Sequence, residues 1–541
     1  MANRYFDGNN GSSGNDGSTA LLAKATIAQA EGASTGGDKV IAVDGAQAHD
    51  ASYFNFAANR VYSSESYRGA TLQPFATQTT YAARSSGSFS AANNPLVIEN
   101  FVIDGLNQVT QAFEIGQDSG EDTQIRVNGC HILNGTQYGM LINHRRGRVE
   151  LTNIKLSGSG AQPMLMTTAN LSNDGNQVID INGVELDGTV SSGSMTGMSI
   201  TKVNNLTNTL GLTLQGVKGT LTPTGSALGV GVNIKAVDPS ITNCSFTVDA
   251  TNTTGTGHFG IVCQGQTVAI ASNPIIANNN INFLANAGYG LALGQSDLNA
   301  NVTGGEVSGN TVTGYYDLLE TPHGFLMGQG CSGATMRGNT AQTIYVGYLA
   351  SKCTSGIIEG NLAYNCHGPS LYIKGCTDIT VQDNIAVVDV DATATADTGV
   401  GVISVNEQTD GTNTAACTVR RNVVIVDDIS KVQSLAGIFL DQSASFENNT
   451  YIIPDTVDVL TEDLFAIGNT SIAANSANAT LAEWNALSST ANGVGTVSVT
   501  GDKIVQLPVS EIQAMISDYK PVSGGGGGAP STIISNKIIT R

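Results

Sequence analysis

Between Gly314 and Gly324 the chain reads GYYDLLETPHG, which sets two carboxylates three residues apart, Asp317 and Glu320, beside a histidine, His323. Paired carboxyl groups are the usual apparatus of glycoside hydrolysis, and a histidine extends acid–base chemistry to neutral pH. Tyrosines crowd around them: seven of the 15 in the chain, Tyr289, Tyr315, Tyr316, Tyr345, Tyr348, Tyr364 and Tyr372, lie in one stretch that also holds Asp297 and His367. Aromatic rings suit the apolar faces of sugars while their hydroxyls remain available for hydrogen bonds. Lys352 and Lys374 fall on neighbouring repeats and would suit a uronate or the base of a lyase. The expected catalytic groups are therefore Asp317, Glu320 and His323. The expected substrate-binding groups are Tyr289, Tyr315, Tyr316, Tyr345, Tyr348, Lys352, Tyr372 and Lys374. The plainer alternative is that the tyrosines pack on a β surface and the charges solvate a loop. Cleavage and binding without cleavage both remain open at this point.

These residues need a scaffold, and the chain writes it as a repeat. QGCSGATMRGN, SKCTSGIIEGN and KGCTDITVQDN align on Cys331, Cys353 and Cys376, which are 22 and 23 residues apart, each with an asparagine eight residues on. The apolar-x-x-Asn line recurs at Asn100, Asn128, Asn153, Asn182, Asn243, Asn280, Asn310, Asn422 and Asn449, with Gln215 in the same role. A glycine followed by apolar residues comes after it, as in GMLIN from Gly139, GLALG from Gly290 and GFLMG from Gly324. Short strands without helices at this pitch predict one coil of a solenoid per repeat, because a single coil cannot bury its own apolar face. Equivalent residues then stack at about 4.8 Å, and asparagine at a fixed turn is expected to adopt a left-handed backbone and stack its amide. The three cysteines are expected to be free, small apolar rungs of this stack, since disulfide geometry needs a closer approach.

Strand–Asn–strand–Gly–strand units of this kind resemble the right-handed parallel β-helix repeats of the pectate-lyase-like superfamily, which includes many phage tailspikes. The resemblance covers roughly Asn100 to Gly468. The stretch from Gly14 to Gly45 looks like that family's entry, a polar turn, a short helix within Thr19–Glu31 and GDKVIAV as first strand. LFAIG followed by TLAEWNAL, Thr480 to Leu487, resembles its exit. The fold expectation is all-β, a right-handed parallel β-helix with a short N-terminal capping helix and a small C-terminal cap. The boundaries expected are 1–50 for the N-terminal cap and first strand, 51–95 for irregular early coils and 96–470 for the β-helix. A C-terminal cap at 471–522 and a Gly-rich linker with terminal strand at 523–541 follow. Thr480/Glu483 and Ser510/Gln513 have capping-box spacing, and Ile512, Met515, Ile516 and Tyr519 mark one face of an amphipathic helix ended by Pro521.

Composition narrows the function. With 541 residues, 64 glycines, 13% charged residues and a net charge of −20, the chain lacks the clustered lysine and arginine that nucleic acid requires. No stretch approaches a membrane span, the N-terminus has no signal-peptide core, and no cysteine or histidine spacing suggests a structural metal or a cofactor. DGNNGSSGNDGS from Asp7 fails a calcium loop at its ligand positions, and GTGHFG from Gly255 lacks the strand-before, helix-after context of a dinucleotide site. NHRRGR, Asn143 to Arg148, reads as a solvated turn or a site for an acidic sugar or partner.

The resemblance and these exclusions together point to a phage virion surface protein of the tailspike type, made in the host cytoplasm. It is expected to be a homotrimer that recognises, and in the enzymatic case cleaves, a host surface polysaccharide. The tail 531–541 is expected to pair with other virion proteins. A non-enzymatic virion structural or decoration protein is the alternative, and a free polysaccharide lyase or hydrolase a third.

Overall fold

The computed structural model describes residues 2–34, 38–48, 53–56, 60–85, 95–116, 123–143, 147–159, 165–170, 177–190, 194–203, 210–235, 238–253, 258–265, 271–285, 288–294, 302–314, 323–389, 401–406, 414–439, 442–468, 479–487 and 496–521. The chain forms two compact units, Met1–Gly255 and Thr256–Arg541.

In both units one coil consists of three short strands, and each strand pairs in parallel with its counterpart one coil on. In the first unit a coil runs Leu96–Glu99, Val102–Asp104, Gln111–Gly116, and the next runs Thr123–Asn128, His131–Leu133, Tyr138–Asn143. The pairs Leu96↔Ile125, Val102↔His131 and Gln111↔Tyr138 hold the two in register. In the second unit Thr335–Arg337, Thr340–Gln342 and Val346–Ser351 stack on Ile357–Glu359, Leu362–Tyr364 and Leu371–Lys374. The result is a right-handed parallel β-helix, whose three main sheets follow chain order within a coil, with a fourth short sheet, Ala271–Ser272, Val302–Thr303 and Cys331–Ser332, in the second unit. In the first two sheets alternate residues enter the core of Ile, Val, Leu, Phe and Met, as the period-two geometry of strands requires.

Asparagine behaves differently from the expectation of one shared place. The left-handed residue between first and second strands is Asn100, Asn153 or Asn243 in some coils, but Gly129, Gly183 and Gly216 take it after Asn128, Asn182 and Gln215. In the second unit it is Asn278, Gly309, Gly338, Gly360, Asp383, Arg421, Asn448 or Gly501, and the stacking amide is the following residue. Glycine takes the position at no steric cost and displaces asparagine to either side.

That displacement produces a buried ladder through Asn279, Asn310, Asn339, Asn361, Asn384, Asn422 and Asn449. In each rung Nδ2 and the backbone N–H donate to the Oδ1 of the next, at 2.9–3.1 Å. From Asn310 onward Nδ2 also donates to a carbonyl of the coil before, such as Ile276 O for Asn310 and Met336 O for Asn361. The last acceptor is Asp502, whose Oδ1 receives both Asn449 donors, while Oδ2 receives Tyr451 Oη–H and Trp484 Nε1–H at 3.0 Å.

At the N-terminus the first strand is Asn3–Phe6, paired in parallel with Lys39–Ala42, so the expected first strand is the second. The expected helix within Thr19–Glu31 splits into a 3-10 turn, Ala20–Leu22, and α1, Ile27–Gly32, with Thr26 as N-cap. Near the C-terminus α2, Leu481–Asn485, carries the Thr480/Glu483 capping box. Helix α3, Val509–Tyr519, does not use Ser510: its N-cap is Pro508, which places Ser510 inside the first turn. Ile512, Met515, Ile516 and Tyr519 bury the outer face of the second sheet, over Leu362, Tyr364, Ile385 and Val387. Residues 522–541, with the linker and terminal strand, lie outside the described residues.

The cysteines form the anticipated column. Cys331, Cys353 and Cys376 are buried and free, with Cys353 Sγ 3.4 Å from Cys376 Sγ. Thr414 continues the column beyond them, its hydroxyl accepting from Cys376 N at 3.4 Å.

Candidate functional site

The third sheet of the second unit explains the glycine line of the repeat. Gly260, Gly290, Gly324 and Gly347 occupy one column, and a Cβ at any of the first three would lie 2.5–2.7 Å from the carbonyl oxygen of the next. Only glycine permits that approach. Each is followed by a core residue, Ile261, Leu291, Phe325 or Tyr348, so two successive residues face inward and the residue before the glycine is left on the outer face.

Those outer residues are Phe259, Tyr289 and His323, in register on three consecutive coils. Their rings stack, Phe259 on Tyr289 at 5.2 Å and 15°, and Tyr289 on His323 at 4.8 Å and 9°. The adjoining outer row, Val262, Ala292, Leu326 and Leu349, makes a buried apolar floor with Val346, against which Phe259, Tyr289, Tyr345 and Tyr372 pack. Tyr372 extends the floor: its hydroxyl accepts from Asn406 Nδ2 at 3.2 Å, and Lys374 Nζ lies 5.9 Å from its ring centroid. The described strands of this sheet in this unit contain no aspartate or glutamate, although the chain carries a net charge of −20.

Electrostatics keep the face uncharged except at lysine. Burial, with Lys374 as a minor contributor, pushes His323 down to about 4, so its imidazole is neutral at pH 7. Its Nδ1 is buried without a hydrogen-bond partner among the described residues. Burial raises the phenols of Tyr289 and Tyr372, which stay protonated. The site offers neutral hydrogen-bonding edges and one ammonium over an apolar floor.

The expected residues divide accordingly. Tyr289, His323, Tyr345, Tyr372 and Lys374 come together on or beside this face. Lys352 sits in the turn following Val346–Ser351, with left-handed backbone and its N–H donating to Lys374 O at 3.1 Å. Asp317, Glu320, Tyr315 and Tyr316, like Asp297, lie outside the described residues. Tyr348 is not on the surface: it is fully buried, stacked on Phe325 at 4.9 Å, with its hydroxyl donating to Leu362 O at 3.0 Å. The glycine kink turns the position after Gly347 inward, which periodicity counted from Tyr345 does not reveal. Tyr364 lies under α3 and donates to Asp389 at 2.5 Å. Tyr345 turns its ring toward Gly368, where a Cβ would meet it at 2.9–3.0 Å. Sequence reasoning missed Phe259 and Asn406. The signal for Phe259 was present, since FGIV, YGLA and HGFL share a ring–Gly–apolar–apolar pattern.

Among the described residues no group of three or more His, Cys, Asp or Glu could hold a metal ion, and no helix is long and apolar enough to cross a membrane.

No protein-family model and no curated protein matches the chain. Among solved structures it is similar to tailspike protein 3 of bacteriophage CBA120, with 10% identity, coverage of 86% of this chain and 56% of that one, and a TM-score of 0.36. The chain thus spans just over half the length of that tailspike. It is also similar to a GH136 lacto-N-biosidase from Eubacterium ramulus, with 11% identity, coverage of 94% and 68%, and a TM-score of 0.27. A PL6 alginate lyase in complex with a trisaccharide gives 11% identity, coverage of 88% and 81%, and a TM-score of 0.27. The parallel β-helix itself rests on the strand pairings.

Proposed function

We propose that the protein is a virion surface protein of the tailspike type that recognises a host surface polysaccharide through the outer face of the third sheet in Thr256–Arg541. The observation that carries this reading is that, among the described residues, the strands of this face carry no carboxylate although the chain is strongly acidic. On it, stacked rings present polar edges beside Lys374. Stacking occupies the faces of Tyr289, so the ring column offers its edges to a ligand, not a platform for a pyranose face. Sugar hydroxyls would bond to the Tyr289 and Tyr372 hydroxyls and to His323, and Lys374 would draw an acidic group on the glycan. A histidine with a pKa of about 4 is a weak base at neutral pH. This favours recognition by His323 over proton abstraction, and cleavage rests on Asp317 and Glu320. A homotrimer in the virion, joined to other virion proteins through the tail 531–541, completes the reading.

The test is binding of the full chain to capsular and lipopolysaccharide glycans, together with release of reducing ends. Lys374→Met with Tyr372→Phe is expected to weaken binding to acidic glycans by about tenfold or more without unfolding the protein. Asp317→Asn with Glu320→Gln is expected to abolish any reducing-end release while binding persists. A parent protein that binds no surface glycan, or a Lys374→Met/Tyr372→Phe variant that binds as the parent does, overturns the assignment.

A further inference from the structure

The same sheet in the first unit carries a second constellation on its outer face. Tyr81, Gln111 and Tyr138 stand in register on three consecutive coils, with Arg84 and Glu114 paired in the adjoining row. The Arg84 guanidinium lies 5.3 Å from the Tyr81 ring centroid, and its Nε is 3.6 Å from Glu114 Oε1. Gln111 Nε2 donates to Glu114 Oε2 at 3.3 Å. Room for the guanidinium comes from Gly116, where a Cβ would fall 2.9 Å from both Arg84 Nε and Nη2.

One of the unpartnered polar atoms of the interior lies in this cluster. Gln111 is 7% exposed, and its Oε1 is buried with no hydrogen-bond partner among the described residues. A buried amide oxygen left unpaired is costly, and such an orphan marks a place where a donor from outside is accommodated. Glu114, at 5% exposure, stands beside it and accepts from Gln111 Nε2. Tyr81 and Tyr138, in register on either side of Gln111, are only partly buried and form the rim. Arginine supplies donors and the carboxylate acceptors, and their charges compensate.

We infer that this cluster is a carbohydrate subsite for an uncharged sugar, with a ring hydroxyl donating to Gln111 Oε1 and others bridging Glu114 and Arg84. Polyhydroxylated rings match a site that combines donors, acceptors and aromatic walls and whose described charges, Arg84 and Glu114, balance. The face in the second unit, with Lys374 and no carboxylate on its described strands, selects the opposite chemistry. The subsite stands independently of that face, so either can fail alone.

The experiment is a glycan array with uncharged and uronate-bearing oligosaccharides, probed with the full chain and three variants. Gln111→Leu and Glu114→Gln are each expected to bind uncharged oligosaccharides about tenfold more weakly and acidic ones unchanged. Lys374→Met is expected to keep the uncharged signal. If Gln111→Leu fails to give the parent's circular dichroism spectrum, Glu114→Gln alone decides. The subsite is overturned if the parent shows no uncharged-sugar binding, if the deciding variants bind within about twofold of it, or if Lys374→Met removes the uncharged signal. Loss of acidic binding alone bears only on the other face.

Discussion

In Met1–Gly255 the residue after the left-handed turn is Phe101, Cys130, Ile154, Val184, Val217 or Cys244, all buried; in Thr256–Arg541 the same turn is followed by the asparagine ladder. The backbone geometry is shared, yet the two columns hold together by different physics. Apolar rungs gain about 1.5–3 kcal/mol each from burial and tolerate one another in any order. Amide rungs gain about 0.5–1.5 kcal/mol net per hydrogen bond, and each depends on its neighbour's oxygen. Such a ladder has direction, because every rung donates toward the C-terminus, and it needs an acceptor at its end. Asp502 supplies one: its two oxygens take four donors at once, and these contacts oppose the burial that raises its carboxyl. An apolar column needs no such end.

The largest effect is therefore expected at that terminus. Asp502→Ala leaves Asn449 N, Tyr451 Oη and Trp484 Nε1 without acceptors and Asn449 Nδ2 with the Val419 carbonyl alone. At about 1–3 kcal/mol per orphaned buried group, partly relieved by water, the loss is about 4 kcal/mol. Urea unfolding of the whole chain measures it, and a change below about 1 kcal/mol would refute the terminus role. Asp502→Asn retains the ladder contact through Oδ1 but turns a donor toward the Tyr451 and Trp484 donors, at about 2 kcal/mol.

Next comes an exchange between the columns. Asn361→Val removes the Oδ1 that accepts from Asn339 N and Nδ2, leaving Nδ2 the Val307 carbonyl, and is expected to cost about 3 kcal/mol. The reverse change, Val184→Asn, buries an amide between apolar rungs that offer it no side-chain partner, at about 2 kcal/mol. If Asn361→Val proves neutral, the ladder is ornamental and the two columns are equivalent.

This contrast also marks what the sequence could disclose. The pitch of Cys331, Cys353 and Cys376, the Thr480 capping box and the buried face of α3 were all legible, because each depends on local spacing that stacking preserves. The exact rung was not: NN, GN, DN and RN pairs all end in asparagine, and only backbone sign separates the turn residue from the ladder residue. The site was half legible for a related reason. Tyrosine density pointed to the coils that carry the ring column, but the double inward step at glycine sent Tyr348 into the core and left Tyr289 and His323 outside. Tyr81, Gln111 and Tyr138 in the first unit obey the same step, at YAAR, QAFE and YGML, with only one glycine to announce it.

A smaller, pH-dependent effect distinguishes the two outer faces. The row Phe259–Tyr289–His323 includes a histidine, whereas the row Tyr81–Gln111–Tyr138 does not. His323 is held near 4 in the folded chain against about 6.5 unfolded. Its contribution is thus complete above pH 6.5 and is lost as pH falls toward 4, when the unfolded chain takes the proton more readily. At about 1.4 kcal/mol per unit the loss is at most about 3 kcal/mol, and less for a ring that is only partly buried. Urea midpoints between pH 7 and pH 4 should fall less steeply in His323→Gln. Burial also lowers His131 in the first unit, on the second sheet, so His131→Gln is the control for acid sensitivity unrelated to the ring column. Equal slopes for parent and His323→Gln would mean that the imidazole is solvated and the ring column open.

The smallest expected effect is a reactivity of zero, shared by both units. Cys130 and Cys244 fill apolar rungs in the first, their thiols 3.9 Å and 3.8 Å from the carbonyl oxygens of Ile98 and Leu214 in the preceding coil. Cys331, Cys353 and Cys376 form their own column in the second. Burial pushes Cys130 and Cys331 up to about 12, and thiolate is the nucleophilic form. At pH 8 less than about one part in a thousand of such a thiol is ionised, and the β-helix wall excludes a reagent as large as Ellman's. The folded chain should therefore release no thionitrobenzoate on the timescale of minutes, and all eight cysteines should titrate once it is denatured without reductant. Fewer than eight on denaturation would reveal a disulfide, with Cys353–Cys376 first to be examined by non-reducing peptide mapping. A fast-reacting thiol in the native chain would instead show that coils open locally. Which cysteine reacted would tell whether the apolar column or the amide-laddered unit is the looser of the two.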